Sequence, residues 1–339
     1  MPSPEGSAVI EAAGNANQKI NDLLAEKAEL EKSLIETTAE NTALEGELAD
    51  ARARIVALEE RIRELEGEDG DVTQVFFGSS FGATGLPPSV TRLDAYRHYF
   101  QPGEFAPSAS QKTWTGEADL VKAYSMGCRR FSISIKPDSN AATTPFAAPD
   151  KIGAFLDSAP KDAELRVTFF HEHNGDIRKG SYTLAKYIAG SHQVADQCDA
   201  RGILFGPIHN GAGPVGGGKW DVHPDYWRAN EGPVERYGFW GVDNYNDDYK
   251  DPQIDFNVIA DYAHGELGLP LVLGELGAPQ SADGRQTTWA GGVRAVAVER
   301  AGEIEDADDW WMWWHNQFSG TPNYRMTDAT ARVWLGIDA

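Results

Sequence analysis

The chain has little cysteine, a deficit of basic residues and no long apolar run. Its 339 residues include only Cys128 and Cys198, too few for a disulfide framework and without the CxxC or Cys/His spacing of a zinc site. Structural metal and redox chemistry drop out of the expectations. Lys and Arg number 30 against 52 Asp and Glu, a formal net charge of -22, so a polyanion such as nucleic acid meets a repelling average surface. No stretch approaches the roughly 20 apolar residues that a membrane-crossing helix needs, so no membrane insertion is expected. The start lacks the basic and apolar regions of a secretory signal, which predicts synthesis as a soluble chain in a cytoplasm without fixing where it works. His171 and His173 flank Glu172 without an HExxH pattern, and the glycine-rich stretch from Gly211 to Gly218 lacks the GK[ST] of a phosphate loop. No metal and no cofactor is therefore expected.

What is present begins with a heptad repeat. Residues 1–19 form an N-terminal segment, and from Ile20 to Leu65 there is no proline. Ile20, Lys27, Leu34, Asn41, Leu48, Ile55 and Ile62 fall at position a, and Leu23, Leu30, Thr37, Leu44, Ala51, Leu58 and Leu65 at d. Steps of three and four residues keep so narrow a stripe on one face only when helices supercoil around each other. The pattern predicts a coiled-coil stalk over residues 20–66, roughly 70 Å long at about 1.5 Å per residue. Lys27 and Asn41 at core positions are buried most cheaply opposite their own copies, so the prediction is a parallel homo-oligomer, dimer or trimer. Glycines at 67 and 70 break the pattern, and residues 67–71 read as a hinge.

Beyond the hinge, residues 72–339 alternate short β-rich runs with helical stretches, the pattern of a parallel sheet with crossover helices. Eight runs can be placed: Gln74 to Phe81, Arg92 to Phe100, Arg129 to Lys136, Leu165 to His171, Ile203 to Ile208, Tyr237 to Tyr245, Leu269 to Glu275 and Trp310 to His315. Helices are clearest at Ala118 to Met126, Ile152 to Ser158, Thr183 to Asp199, Ile254 to Leu267 and Ala290 to Ile304. That is the count and size of an α/β fold of the (β/α)8 TIM barrel type, whose chemistry sits at the C-terminal ends of the strands. The Gly211 to Gly218 stretch is then expected as a flexible loop over the barrel mouth.

Two glutamates stand where such a barrel places its chemistry. Glu172 follows the fourth run in Phe169-Phe170-His171-Glu172-His173-Asn174-Gly175, and Glu275 ends the seventh between Gly274 and Leu276-Gly277. Cleaving a glycosidic bond takes one acid near the leaving oxygen and one carboxylate on the other face, and strand ends across a barrel mouth supply both. The last run, Trp310-Trp311-Met312-Trp313-Trp314-His315, alternates its side chains between the barrel interior and the helices. Trp314 and His315, nearest its end, are expected at the site, where an indole stacks on a sugar face. His209 and Asn210, after the fifth run, are candidates to hydrogen-bond a sugar or to stabilise their own turn.

These segments resemble glycoside hydrolase family 26, the β-mannanase family of clan A. His171-Glu172-His173-Asn174-Gly175 resembles its His-Glu-x-Asn-Gly segment, Gly274-Glu275-Leu276-Gly277 its Gly-Glu-aromatic-Gly segment, and Gly241-Val242-Asp243-Asn244-Tyr245 its sixth-strand segment. The resemblance implies a retaining, endo-acting hydrolase with Glu172 as acid/base and Glu275 as nucleophile. It also implies His171, Asn174, Asp243 and Tyr245 as supporting and substrate-binding residues. Three features depart from the family: Asp176-Ile177-Arg178-Lys179-Gly180 replaces an aromatic-rich run, Leu276 replaces an aromatic, and the fifth strand lacks a tryptophan. They point to a glycan other than mannan, or to a carbohydrate-binding barrel that does not cut. A coiled coil carrying a glycanase-like barrel looks like a minor tail or tail-tip protein of a bacteriophage. That analogy implies a virion location, anchoring to other tail proteins through the N-terminus, and a bacterial envelope polysaccharide as partner.

Overall fold

The computed structural model describes residues 19, 27, 75–80, 85–139, 144–211, 236–305, 307–316 and 322–337. The chain divides into two units, Met1–Asp71 and Val72–Ala339. Lys19 of the N-terminal segment and Lys27 of the predicted stalk are helical and exposed, and the rest of the segment, stalk and hinge lies outside the described residues. So does most of the predicted loop over the mouth, residues 212–218. No helix among the described residues is long and apolar enough to cross a membrane.

Nine parallel strands form one curled sheet. They are β1 (Val75–Ser80), β2 (Ala95–Phe100), β3 (Arg130–Ile135), β4 (Glu164–Phe169), β5 (Leu204–Phe205), β6 (Ile208–Asn210), β7 (Trp240–Tyr245), β8 (Leu271–Gly277) and β9 (Asp309–Trp314). Their lateral order is β5-β4-β3-β2-β1-β9-β8-β7-β6. The two outermost members are separated in the chain only by Gly206 and Pro207, so the fifth predicted strand is one run in two pieces. Proline has no N–H to give to a ladder, and the interruption leaves β5 paired with β4 and β6 with β7. The arrangement is consistent with a (β/α)8 barrel.

The helices are α1 (Ala118–Ser125), α2 (Asp150–Asp157), α3 (His173–Arg178), α4 (Leu184–Asp199), α5 (Pro252–Ala260), α6 (Arg285–Arg300) and α7 (Asp328–Leu335). Three start on local capping signals. Thr183 accepts a hydrogen bond from the Lys186 N–H, Asp251 from Gln253 with Pro252 in the first turn, and Thr327 from Thr330. The predicted helix from Ile254 to Leu267 is α5 followed by a π-helical stretch, Asp261–Leu267. Two helices were not among those expected: α3, directly after Glu172, and α7, whose Trp334 packs edge-on against Phe77 and donates to the Gly78 carbonyl.

Strand alternation divides the core in two. In β9, Trp310 and Met312 face the barrel axis with Phe76, Ala95, Ile208, Phe239 and Val272. Trp311 and Trp313 face the helices, against Phe256, Trp289 and Trp334. Each of these indoles is fully buried, worth on the order of 2–3 kcal/mol in removed apolar surface. At the N-terminal end, Arg166 lies 4.0 Å over the Trp310 ring and donates to the Asp308 carbonyl. That end is closed by packing, so the opposite end is left for the chemistry.

Candidate active site

Inward-facing positions near the C-terminal ends of the strands bring both predicted glutamates together. Glu275 comes from β8, where an irregularity in the pairing with β7 sets it opposite Asp243. Glu172 comes from the turn between β4 and α3. That turn is tightly bent: Phe170 (φ 49°) and Glu172 (φ 56°) both adopt left-handed backbone conformations without being glycine. Such residues cost on the order of 1–3 kcal/mol each and persist where their surroundings fix them. Here the Phe170 N–H donates to the Ile135 carbonyl and the Glu172 N–H to the Ile208 carbonyl. One carboxylate oxygen each of Glu172, Glu275 and Asp243 lies within 4.8 Å of the others.

Arg97 supplies the counter-charge. Its Nη1 is 2.6 Å from Asp243 Oδ1 and 3.7 Å from Glu275 Oε1, with no exposed side-chain surface. Burial opposes the guanidinium's charge, yet Asp243, Tyr99 and Glu275 more than offset that and hold its pKa above the ordinary value. A Cβ at residue 274 would lie 2.0 Å from Arg97 Nη1 and 2.7 Å from Asp243 Oδ1, so only glycine lets the ion pair pass beside β8. Tyr245 donates its hydroxyl to Glu275 Oε2. Asn210 Nδ2 donates to Glu172 Oε1 at 2.7 Å, while its backbone N–H and C=O are clamped by the Asn174 amide at 2.9 and 3.2 Å. Burial first, and the Glu275 charge second, push the Glu172 carboxyl up to about 7. Glu275 thus has donors aimed at negative charge, whereas Glu172 holds a proton near neutrality.

The remaining predicted residues separate into those at the site and those beyond it. His171 Nδ1 is 2.5 Å from Ser134 Oγ, and its ring meets Tyr99 edge-on at 5.2 Å. Burial and the nearby Arg97 hold it neutral, well below the ordinary histidine pKa. Trp314 packs at 5.8 Å against the other side of this aromatic wall, on Tyr99. Two of the expected residues lie elsewhere than expected. His209 takes the outward parity of β6 and packs between His173 and Trp240, away from the mouth. His315 is a backbone clamp, its Nδ1 accepting from the Met326 N–H and its Nε2 bonding the Gly85 carbonyl. Asp243 lies at the site in a supporting place, its side chain fully buried against Arg97. Arg97 and Tyr99 were not among the residues expected at the site. Their signal was present, since Ala95, Arg97 and Tyr99 share one face of β2, and a cation there needs an acid nearby.

At the level of sequence, no protein-family model and no curated protein matches the chain. Solved structures do. A Cellulomonas fimi endo-β-1,4-mannanase double mutant superposes with a TM-score of 0.52 at 15% identity, covering 77% of this chain and 69% of the mannanase. A family 26 β-mannanase from Bacteroides ovatus gives 0.50 at 14%, covering 78% and 88%. A family 5 xyloglucanase from Paenibacillus pabuli gives 0.51 at 13%, covering 78% and 98%. The domain shares its overall fold with these enzymes. At these identities the likeness concerns the fold, and the chemistry rests on the residues described above.

Proposed function

We propose that residues 72–339 are a retaining, endo-acting glycoside hydrolase with Glu275 as nucleophile and Glu172 as acid/base. The observation that carries this is the closeness of the carboxylates: one oxygen of each lies within 4.8 Å of the other, nearer the separation of about 5–5.5 Å of a retaining pair than the about 6.5–9.5 Å at which an inverting pair accommodates its water. Glu275 attacks that carbon as Glu172 gives its proton to the departing glycosidic oxygen, leaving a glycosyl ester on Glu275. Glu172, now ionised, takes a proton from water, whose oxygen displaces Glu275 and restores both groups. Tyr245 and Arg97 orient Glu275 and stabilise the carboxylate each time it departs. Asn210 aims Glu172. The Tyr99–Trp314 wall offers aromatic faces to a sugar ring.

The solved neighbours named above include mannanases and a xyloglucanase. Asp176 to Gly180 departs from the mannanase pattern, and its first three residues end α3 (His173–Arg178), which favours a different glycan. The heptads from Ile20 to Leu65 support a parallel oligomeric stalk, and such a stalk supports a bacteriophage tail protein acting outside the cell on a bacterial surface polysaccharide. Several barrels on one stalk raise avidity for a repetitive polymer.

The test is reducing-end release from bacterial envelope glycans and β-mannans by the wild type, Glu172→Gln and Glu275→Gln. Release that both substitutions abolish in folded protein supports the assignment. Binding without release, unchanged by either substitution, would leave a carbohydrate-binding barrel instead.

A further inference from the structure

One cation near the candidate site, Lys136, meets no carboxylate among the described residues. Lys136 follows β3 directly and continues its inward parity after Ser132 and Ser134, both fully buried. Its Nζ stands 5.5 Å from the centre of the Phe170 ring, beside the turn that carries Glu172. Its charge reaches both Glu172 and His171. Yet no carboxylate or hydrogen-bond acceptor meets its ammonium among the described residues. Other buried or half-buried cations of the barrel are paired: Arg97 with Asp243, Lys112 with Glu104, Arg130 with Glu164 and Arg166 with Glu164. A half-buried ammonium sacrifices hydration, and in a chain of net charge -22 carboxylates are plentiful. The unpaired position is therefore one where an outside anion completes the set.

We propose that Lys136 selects a glycan bearing a carboxylate, binding the acidic group of a uronic-acid residue seated against Glu172. The proposal rests on the hydrolase reading for its kinetics, though not for its binding. The overall negative charge limits the polymer class. A densely charged polyanion is repelled, whereas a mostly neutral chain with an isolated acid in each repeat gains the Lys136 contact at little long-range cost. Lys136 also fits the departure from the mannanase pattern, since mannan offers it no anion.

The test uses the full chain and uronate-bearing bacterial exopolysaccharides, gellan and xanthan among them, each beside its carboxyl-reduced form. Wild type is expected to release reducing ends faster from at least one native polymer than from its reduced form. Lys136→Met should lose about 10-fold in kcat/KM on that native polymer, about 1.4 kcal/mol, and distinctly less on the reduced one. Lys136→Arg should keep the preference. Equal losses on both forms would overturn the proposal and make Lys136 a positioning residue for Glu172, as would preference for the reduced form. Should no polymer be cleaved, affinity electrophoresis in gels containing the same pairs decides it. Retardation by the native form that Lys136→Met abolishes sustains the anion site while the hydrolase reading fails, and absence of any Lys136-dependent retardation overturns it.

Discussion

Arg97 and Asp243 form a fully buried ion pair, Nη1 to Oδ1 at 2.6 Å, joining β2 to β7 across the floor of the candidate site. Removing one member of such a pair leaves the other charged, desolvated and uncompensated. Asp243→Asn is expected to lower unfolding stability by about 3–5 kcal/mol in urea titrations at neutral pH. The double variant Arg97→Met/Asp243→Leu should recover much of that loss while remaining inactive. A single variant as stable as the wild type would show the pair to be idle.

Gly274 offers a finer perturbation of the same contact. Gly274→Ala puts a methyl group where Arg97 Nη1 and Asp243 Oδ1 now approach, so the guanidinium must shift away from Glu275. Misplacement on the order of 1 Å costs about 100-fold in rate. Steady-state kinetics should show that loss in kcat, with a near-ultraviolet circular dichroism spectrum matching the wild type.

Glu172 links activity to stability with opposite signs. Its folded pKa of about 7 is raised from 4.5, so the folded state favours the protonated form. The stability it contributes is fully present below pH 4.5 and is lost as pH rises through about 7, by up to about 3 kcal/mol. Glu172→Gln, which cannot ionise, should be more stable than wild type at pH 8 and equal to it near pH 4, as read by thermal melts. In kcat, the alkaline limb that reports the acid should lie near pH 7. In Glu275→Gln the Glu172 carboxyl should titrate lower, because a neighbouring negative charge has gone; carboxyl carbon NMR reads that shift.

Much of the frame was legible in the sequence because strand parity is a strong code. The eight runs, and the two-sided split of Trp310 to Trp314, follow from apolar alternation and from turn residues between runs. Glu172 and Glu275 stood out as carboxylates ending apolar strands. What escaped was set by tertiary packing. His209 and Asn210 are neighbours in sequence with equal hydrogen-bonding capacity, yet parity sends Asn210 to Glu172 and His209 to the helices. His315 looked like a mouth residue, but its ring is spent on two backbone groups that only the folded chain brings near. Arg97 was hidden because its partner lies 146 residues away.

At the opposite side of the stability question stands His264, in the π-helical stretch after α5. Its Nδ1 is 2.7 Å from Glu303 Oε2 and its Nε2 3.1 Å from Asp309 Oδ2, and Arg300 pairs with Glu303 at 2.8 Å. Burial disfavours the imidazolium, but Asp309 and Glu303 more than offset it and raise its pKa above 6.5. The resulting stabilisation is complete below pH 6.5 and fades as pH climbs through the raised value. His264→Gln should therefore depress Tm more at pH 5.5 than at pH 9. An equal depression at both would mean that the histidine contributes packing alone.

The central claim is that Glu172 and Glu275 act across one anomeric carbon at a distance fit for a covalent intermediate. The measurement that tests it most directly is proton NMR of the anomeric configuration of the first product, recorded on any glycan the protein cleaves before mutarotation intervenes. The arrangement predicts that the newly formed reducing end keeps the configuration of the bond that was cut. An inverted product would contradict it, because inversion calls for carboxylates about 6.5–9.5 Å apart, wider than this pair.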